Sequence, residues 1–486
     1  MKNFLRGLSA ITLVNVINGV LGVVIVPVAV KRLGIEGYGL YSIFSVLAGY
    51  LVLVELGLGK NLVRLLGAVA AEAEARELLR LALGLYVAIA AGLLLLAPVL
   101  IAAVEAVMFH VSAPYVASVY WIAGIAIVDY LLSIPVSIRL NYALSRERIG
   151  EYAKFMFISN ASRYALMLAG VLLTSRVELA VAFVLGRRLV DLAAAPRILP
   201  HLPAGSWRPR LSWREAQALV GQSSLLALTQ LLQLSTVAIG SIMVNRFFGL
   251  AALGVYRSAF DIVSKVWFFS NTAGTVLYPR FVQLLRRPES RARLGRILPG
   301  LQSASWLAYC LAAVAGIIVA PFVLNVMRLN ATPPLLFALL VVGVVWNAHS
   351  VLSSEVLQAG GHFRAVGETA AVSFVAMTAV FLLLARSSPA YAIGWAWVIS
   401  QFLSSVFMDA QALRRLRGTI SVGALGKGRV PGAVLACSML AWLSGLWVPP
   451  LIVASTIALV VIASEASMIR RAIGDMSGGE RVAVST

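Results

Sequence analysis

The chain has 486 residues, of which 60% are hydrophobic and only 12% are charged. A water-soluble protein of this length could not bury so much apolar surface, which excludes an assembly of soluble domains. The formal net charge of +20 would suit a nucleic-acid surface, but the distribution of basic residues along the chain argues against nucleic acid as a partner.

Apolar runs long enough to cross a bilayer follow one another along the chain. A membrane-spanning helix needs about 20 mostly apolar residues, and these runs lack the period-two alternation of barrel strands. We therefore predict an all-α polytopic membrane protein with about fourteen transmembrane helices. The predicted spans are 9–30, 38–58, 81–103, 114–138, 155–174, 178–198, 217–244, 252–276, 297–321, 333–354, 368–385, 390–411, 431–447 and 449–467.

Basic residues fall mainly on one side of this predicted topology. With the N-terminus in the cytoplasm, 31 Lys and Arg residues lie in inner segments and six in outer loops. Such a ratio is difficult to obtain from wrong span assignments, because positive charge marks cytoplasmic loops. We therefore expect a multi-pass protein of the cell (inner) membrane with both termini in the cytoplasm.

The predicted spans group into four segments. They are an N-terminal lobe of six spans (1–198), a cytoplasmic amphipathic linker (199–216), a C-terminal lobe of six spans (217–411), and a basic loop with two spans and a cytoplasmic tail (412–486). The linker, HLPAGSWRPRLSWREAQA, places tryptophans among arginines, which is typical of a segment on an anionic membrane surface. The sequence has no G-x-x-x-x-G-K-[ST] loop, which argues against ATP-driven transport by this chain alone.

A short internal repeat relates the two predicted lobes. Residues 34–41 read GIEGYGLY and residues 249–256 read GLAALGVY, which is G-x4-G-x-Y in both, at an offset of 215 residues. Six spans separate the copies, so both have the same orientation in the membrane. The repeat predicts pseudo-symmetric lobes related by an axis along the membrane normal, with the substrate site between them near the midplane.

The segments around the repeat resemble a known family. The stretch VKRLGIEGYGLYSIFSVLAGYLVLVELGLGKNLVR (30–64) and the string NRFFGLAALGVY (245–256) are similar to segments of Wzx-like polysaccharide flippases. The matching features are Arg32-Leu33-Gly34, the string Glu36-x-Tyr38-Gly39-x-Tyr41, and Leu56-Gly57-Leu58-Gly59. These flippases belong to the multidrug/oligosaccharidyl-lipid/polysaccharide exporter superfamily.

The resemblance implies a fold, an activity and partners. The fold would be a V-shaped, alternating-access transporter of two six-helix lobes with a C-terminal helix pair. The activity would be to move undecaprenyl-diphosphate-linked oligosaccharide, a polysaccharide repeat unit, from the inner to the outer leaflet. The implied partners are that lipid-linked substrate and the membrane lipids, with polysaccharide polymerase or assembly proteins as further candidates. We expect no cofactor or metal, because two cysteines and four scattered histidines form no ligand cluster.

Three charged residues in the eighth span are the first candidates for a binding site. Arg257, Asp261 and Lys265 are spaced i, i+4 and i+8, which places them on one helix face. A charge at membrane depth costs about 2.5–3.5 kcal/mol on the insertion scale, so this face should line a bundle interior or a wet cavity. We predict that it contacts the substrate diphosphate. The alternative is a structural ladder in which Asp261 pairs with both neighbours.

Further candidates lie on the first, fifth and seventh spans. Arg163, near the middle of the fifth span, could bind phosphate bidentately, or helix carbonyls or Asp129 could satisfy it. Uncharged polar residues on the other two spans suit sugar hydroxyls, although such residues also bridge helices. They are Asn15, Asn18, Gln230 and Gln233.

Other ionisable residues have two interpretations each. Asp129, in the fourth span, is a candidate for coupling to H+ or Na+, but a pairing with Arg163 would account for it equally well. Arg187 and Arg188, in the sixth span, either extend to the inner interface or make the first phosphate contact at the cytoplasmic entrance. Asp409 lies near an inner helix end, and we interpret it as interfacial.

Two other functions compete with lipid-linked sugar flipping. A drug or organic-cation antiporter of the same superfamily would need an acidic cavity, whereas Arg163, Arg257 and Lys265 outnumber Asp261 among the deep charges. An integral-membrane polysaccharide polymerase or glycosyltransferase would need a sizeable outer loop or a pair of carboxylates. The predicted outer loops are short and carry single glutamates, which disfavours an enzyme.

Overall fold

A computed structural model describes most of the chain. The described residues are 2–53, 58–69, 71–109, 111–146, 148–267, 293–306 and 333–416, with a few single residues such as 55, 270 and 309. At 2–16 and at most positions of 213–227, the description covers the backbone only.

The elements in this part of the chain are helices. In chain order they are α1 (Lys2–Leu53), α2 (Leu58–Ala68), α3 (Glu72–Ala103), α4 (Ala113–Ser145), α5 (Ile149–Leu173), α6 (Val177–Leu185), α7 (Arg187–Ile198), α8 (Trp213–Val263), α9 (Pro334–Ala359), α10 (Phe363–Leu384) and α11 (Ala392–Arg415). A π-helical turn (Val104–Met108) continues α3, and a 3-10 turn (Ser264–Val266) continues α8.

Seven helical stretches in the described part are long and apolar enough to cross a membrane. They are Ile17–Leu51, Glu72–Met108, Ala113–Ser145, Ile149–Leu173, Leu228–Val266, Pro334–Ala359 and Phe363–Leu384. The predicted all-α polytopic membrane fold is thereby confirmed. The total of fourteen spans stays a prediction, because the last two predicted spans lie outside the described residues.

Two of these stretches, in α1 and α8, each join two predicted spans at a glycine. Gly34 interrupts α1 with φ 75° and ψ 169°, and Gly249 interrupts α8 with φ 83° and ψ −179°. This region of backbone conformation is accessible almost only to glycine, because a Cβ atom would clash with the neighbouring carbonyl. The two glycines begin the two copies of the repeat, so both copies adopt the same backbone turn.

The two copies of the repeat also contact each other reciprocally. A Cβ atom on Gly39 would lie 2.6 Å from the carbonyl oxygen of Leu250, and a Cβ atom on Gly254 would overlap the carbonyl oxygen of Ile35. Gly254 stands 215 residues after Gly39, and Leu250 stands 215 residues after Ile35. Equivalent residues therefore exchange the same contact, as they do across a two-fold axis.

The chain forms two compact units. The first unit is Val16–Ser258, and the second is Met1–Asn15 with Ala259–Thr486. In the first unit, α2, α3 and α4 pack through side chains that are almost fully buried, among them Leu62, Leu79, Tyr86 and Ile138. In the second unit, α9 and α10 pack along α11. The lobe boundaries drawn from the sequence stay a prediction.

The linker between α7 and α8 is attached to the first unit. The backbone N–H of Arg210 donates to the carbonyl of Arg80 at 3.0 Å, and the Arg210 guanidinium binds Glu77 at 2.9 Å. The Arg139 guanidinium lies 5.3 Å from the centre of the Trp207 ring, which is a cation–π contact. The linker therefore has a fixed position on α3 and α4 in addition to the predicted affinity for a membrane surface.

Candidate functional site

A buried group of charges joins α4 to α7 in the first unit. Asp129, on α4, is only 3% exposed. Arg188 binds both of its carboxylate oxygens, with Nε 2.9 Å from Oδ1 and Nη2 2.7 Å from Oδ2. Arg187 adds a third contact, with Nη2 3.3 Å from Oδ2. Charged side chains can be buried when they are paired and hydrogen-bonded in this way.

A break in the sixth predicted span places these arginines. The span divides at Gly186 into α6 and α7, and the first two residues of α7 are Arg187 and Arg188. Arg188 also contacts Asp191, one turn further along α7, at 3.3 Å. The guanidinium groups bind these aspartates rather than extending to an interface, and a role at the cytoplasmic entrance stays a prediction.

Arg163 approaches the same group from α5. Its side chain lies close to the hydroxyl of Tyr41 and within electrostatic reach of Asp129. Asp129 itself is bound by the α7 arginines, so the predicted direct pairing with Arg163 is not its main contact. Three arginines and two aspartates together leave one net positive charge inside the first unit.

A cavity of about 100 Å³ lies between the second half of α1 and α8. Arg257 lines it and is only 7% exposed. The other lining residues are Ser45, Val46, Gly49, Tyr50, Leu234, Val237 and Ala238. The hydroxyl of Tyr50 is hydrogen-bonded to Ser235, which connects the two helices. The cavity therefore offers one guanidinium and two hydroxyl groups in an otherwise apolar wall.

One face of α1 runs from the charge group to this cavity. Tyr41, Ser45 and Gly49 are spaced by four residues, so they share a helix face. Tyr41 contacts Arg163, and the other two residues line the cavity beside Arg257. Arg163 and Arg257, both predicted from the sequence as site residues, thus lie beside the same face of α1.

The remaining predicted residues fall in different places. Asn18 is buried, and neither of its amide atoms has a hydrogen-bond partner among the described residues. Gln230 is partly buried, and Gln233, one turn on, is exposed. The side chain of Asn15 lies outside the described residues. Their contact with sugar hydroxyls stays a prediction.

The charged ladder on α8 crosses from one unit to the other. Arg257 belongs to the first unit, whereas Asp261 and Lys265 belong to the second and are partly buried. Lys265 lies in the 3-10 turn that follows α8. The joint role predicted for the three residues stays a prediction, while the cavity position of Arg257 is an observed feature.

Sequence reasoning missed a buried polar group in the second unit. The interfacial position expected for Asp409 stays a prediction, but this side chain is only 1% exposed and is therefore enclosed by protein. It lies 3.5 Å from Nε2 of His349, which the sequence showed only as one of four scattered histidines. A signal was present, since polar residues recur in the second half of the apolar tenth span, at Asn347, His349, Ser350 and Ser353.

A family model identifies what kind of protein carries these features. Residues 4–285, more than half of the chain, match the family described as polysaccharide biosynthesis protein. The chain belongs to that family. The resemblance to Wzx-like flippases that the repeat segments carry is thereby confirmed. A comparison with curated proteins gives no significant match.

Solved structures of membrane transporters share the fold of this family member. A structure of the lipid II flippase MurJ in an inward closed conformation aligns with a TM-score of 0.68 at 11% identity, covering 95% of this chain and 99% of that chain. An inward-facing multidrug resistance MATE family transporter of the MOP superfamily aligns with a TM-score of 0.59 at 13% identity, covering 84% and 95%. A mutant form of the Vibrio cholerae MATE transporter VcmN gives 0.59 at 14% identity, covering 86% and 98%.

Family and fold together decide the general class. The chain is a multi-pass membrane protein of the polysaccharide biosynthesis family, and it shares the fold of solved membrane transporters. The substrate is a separate question, which depends on the chemistry of the cavity and the charge group.

Proposed function

We propose that this transporter moves an undecaprenyl-diphosphate-linked oligosaccharide from the inner to the outer leaflet of the cell membrane by alternating access. The observation that carries the proposal is Arg257, a buried cation on the wall of a cavity inside a membrane-spanning unit. A cation is expensive at that depth, and its presence is typical of a substrate pathway. Membership in a polysaccharide biosynthesis family supports a lipid-linked sugar as the substrate.

The residues of the first unit suit the head group of such a lipid. Arg257 can donate two parallel hydrogen bonds to phosphate oxygens, since a guanidinium matches their geometry. Tyr50 and Ser45 line the same cavity and supply hydroxyl groups for phosphate or sugar oxygens. The net positive charge of the Arg163–Arg187–Arg188 group with its aspartates adds attraction for an anion through a medium of low dielectric constant.

Export of organic cations is the second candidate function, because multidrug transporters share the fold. An arginine on the cavity wall opposes it, since a cationic drug would meet a like charge at close range. An alternative with an enzyme activity has no support from the family or the fold.

The experiment that tests the proposal is mass spectrometry of lipids retained by the gently purified protein. We expect the native chain to retain a polyprenyl-diphosphate glycan and Arg257→Gln to lose most of it, because a guanidinium–phosphate contact contributes about 1.5–3 kcal/mol, or roughly 10-fold to 100-fold in affinity. Arg246→Gln is the matched control, since Arg246 lies on the same helix but is exposed. It should retain the lipid like the native chain.

Other outcomes separate the function from the site. Equal retention by the native chain and Arg257→Gln would keep the function and move the phosphate contact to another cation, with Arg163 the next to replace. Absence of any polyprenyl lipid, together with export of organic cations from vesicles, would contradict the proposal and favour the drug exporter.

Three further features belong to the same proposal. The protein resides in the inner membrane with both termini in the cytoplasm, and polysaccharide polymerase or assembly proteins receive its product. Transport is coupled to H+ or Na+. Asp129 is one candidate for that coupling, although its close contacts with Arg187 and Arg188 also suit a permanent ion pair.

A further inference from the structure

A histidine and an aspartate meet in the interior of the second unit. His349, on α9, and Asp409, on α11, are each 1% exposed. Nε2 of His349 lies 3.5 Å from Oδ2 of Asp409. The two helices pack along each other, and both side chains are enclosed by protein, so bulk water hydrates neither charge.

The surroundings of Asp409 keep its carboxylate in the acceptor role. Ser353 donates its hydroxyl hydrogen to Oδ1 at 2.7 Å. Gln302 in turn donates its amide hydrogen to the Ser353 oxygen at 2.9 Å. Gln302 thus donates to Ser353, and Ser353 donates to Asp409. The carboxylate only accepts in this chain of hydrogen bonds, as an ionised aspartate does.

A single nitrogen of His349 faces two partners of opposite character. The indole N–H of Trp306 donates to Nε2 at 3.1 Å, which requires Nε2 to carry a lone pair. Oδ2 of Asp409 lies beside the same nitrogen and could accept a hydrogen from it. Nε2 cannot accept from Trp306 and donate to Asp409 at once. Its protonation state therefore selects the partner.

The tryptophan face favours the protonated form of His349. Nδ1 of His349 is buried and has no hydrogen-bond partner among the described residues. Nδ1 carries a hydrogen in the neutral ring that accepts from Trp306 and in the imidazolium alike, so it does not distinguish the two forms. The Trp306 ring stacks on the imidazole with centroids 4.4 Å apart, a position from which its π-electrons stabilise an imidazolium.

Other ionisable groups lie on the elements packed against this pair. They are Lys265 on the 3-10 turn, Arg296 and Tyr309 on the segment that carries Trp306, Glu355 on α9, Glu368 on α10, and Arg414 and Arg415 at the end of α11. Glu368 binds Arg364 and Gln411. Asp409 is the carboxylate within ion-pair distance of His349 among the described residues.

We propose that His349 and Asp409 form a proton-binding site in the second unit. Nε2 of His349 takes one proton from a hydronium ion, so an O–H bond breaks, an N–H bond forms and a water molecule is left. Nε2 then no longer accepts from Trp306 and donates to Asp409, and the net charge of the pair changes from −1 to zero. A hard cation such as Na+ is less suited, because it prefers several oxygen ligands and one oxygen of Asp409 already accepts from Ser353. That this proton drives transport rests on the proposed function, whereas the binding itself does not.

Tryptophan fluorescence of the purified full-length protein tests the site. An imidazolium stacked on an indole quenches its emission, so the emission of Trp306 should fall as the solution is acidified from about pH 8 to about pH 5. His349→Gln should lose this component, since glutamine can accept from Trp306 and donate to Asp409 without titrating. Trp306→Phe should lose it as well, because the reporting ring is removed.

Two further variants make the test specific. Asp409→Asn removes the anion that accepts from the imidazolium, so the same quenching should require a more acidic solution. His201→Gln changes an exposed histidine of the linker and should leave the titration unchanged. The proposal is overturned by a native emission that is constant over this range, by quenching that persists in His349→Gln, or by an unaltered titration in Asp409→Asn.

Transport in vesicles with an imposed proton gradient separates this site from the proposed function. If the gradient accelerates export of a lipid-linked oligosaccharide by the native chain but not by His349→Gln, the proton is coupled to transport. If both respond equally, coupling through this site is wrong and the flippase function stands. If the native chain exports no such lipid, the proposed function fails, and the fluorescence titration alone decides the proton site.

Discussion

A single carboxylate, Asp129, holds two arginine side chains inside the first unit. The side chains of Arg187 and Arg188 are each 14% exposed, and that of Asp129 is 4% exposed. A charge in such a place is tolerated only while its partner remains, because the desolvation penalty is no longer offset when one partner is removed. The packing of α7 against α4 therefore depends on the side chain of Asp129.

Replacing Asp129 by asparagine should destabilise the protein strongly. Asp129→Asn leaves two arginines without their shared anion, and the expected loss is about 3–5 kcal/mol. Arg187→Gln should have a smaller effect, since Arg188 keeps both of its contacts with the carboxylate. The thermal midpoint of unfolding in detergent measures both. Equal midpoints for the two variants, with transport uncoupled only in Asp129→Asn, would instead support an ion-coupling role.

Single residues could be predicted where their residue type is unusual for the surrounding sequence. Arg257 was found because a guanidinium in an apolar run needs a polar environment, and the structure gives it a cavity wall. The partners of Asp129 were not found, because Arg188 lies 59 residues away in the chain and the pairing depends on how α4 and α7 pack. His349 and Asp409 were missed for the same reason, since only packing of α9 on α11 brings them together.

At the scale of helices, close backbone approach holds α1 and α8 together. Inside a membrane the hydrophobic effect gives little attraction between helices, so association depends on tight van der Waals packing at small residues. Gly39 and Gly254 provide that packing at the reciprocal contact of the repeat. The obstructing atoms are backbone oxygens, which cannot move aside by changing a side-chain rotamer.

Alanine at either glycine should therefore weaken the contact. Gly39→Ala and Gly254→Ala should each lower the thermal midpoint of unfolding, and a well-packed site that must absorb an added methyl loses about 1–3 kcal/mol. Gly124→Ala on α4 is the control, because a Cβ atom there meets nothing within 4 Å. It should be neutral or stabilising by up to about 1 kcal/mol, since alanine is the better helix former. A midpoint for Gly254→Ala that matches Gly124→Ala would contradict the reciprocal contact.

Helix organisation was partly predictable from the sequence. The 215-residue repeat predicted related segments, and the structure gives both copies the same glycine turn. The division of the sixth predicted span into α6 and α7 was not predicted. Gly186 lies within an apolar run, and glycine is common inside membrane helices without breaking them, so composition alone does not mark the break.

The distribution of basic residues predicts the orientation of the whole molecule in the membrane. The predicted inner segments carry 31 Lys and Arg residues against six in the outer loops. The linker concentrates several arginines beside the start of α3, where Arg80 and Arg210 share contacts with Glu77. Such a surface suits the anionic cytoplasmic leaflet.

Cysteine labelling of intact cells tests this orientation. In a chain with Cys310→Ser and Cys437→Ser, we expect Ser175→Cys and Ser387→Cys to react with a membrane-impermeant maleimide, because both positions are exposed in predicted outer loops. Ala204→Cys, exposed in the linker, should react only after the cells are permeabilised. Reaction of Ala204→Cys in intact cells would reverse the predicted topology and place the termini outside.

The two repeat copies share a backbone contact but differ in the charge that they carry. The backbone of the two repeat copies is related by a local two-fold, but the side chains are not: Arg257 lines the cavity, whereas Ser42, at the equivalent position of the first copy, donates to the carbonyl of Gly39 in its own helix. The two copies thus have the same backbone, but only the second copy has a charged residue at this position. On the proposed function, an anionic guest would bind there in a single orientation, with its phosphates toward α8.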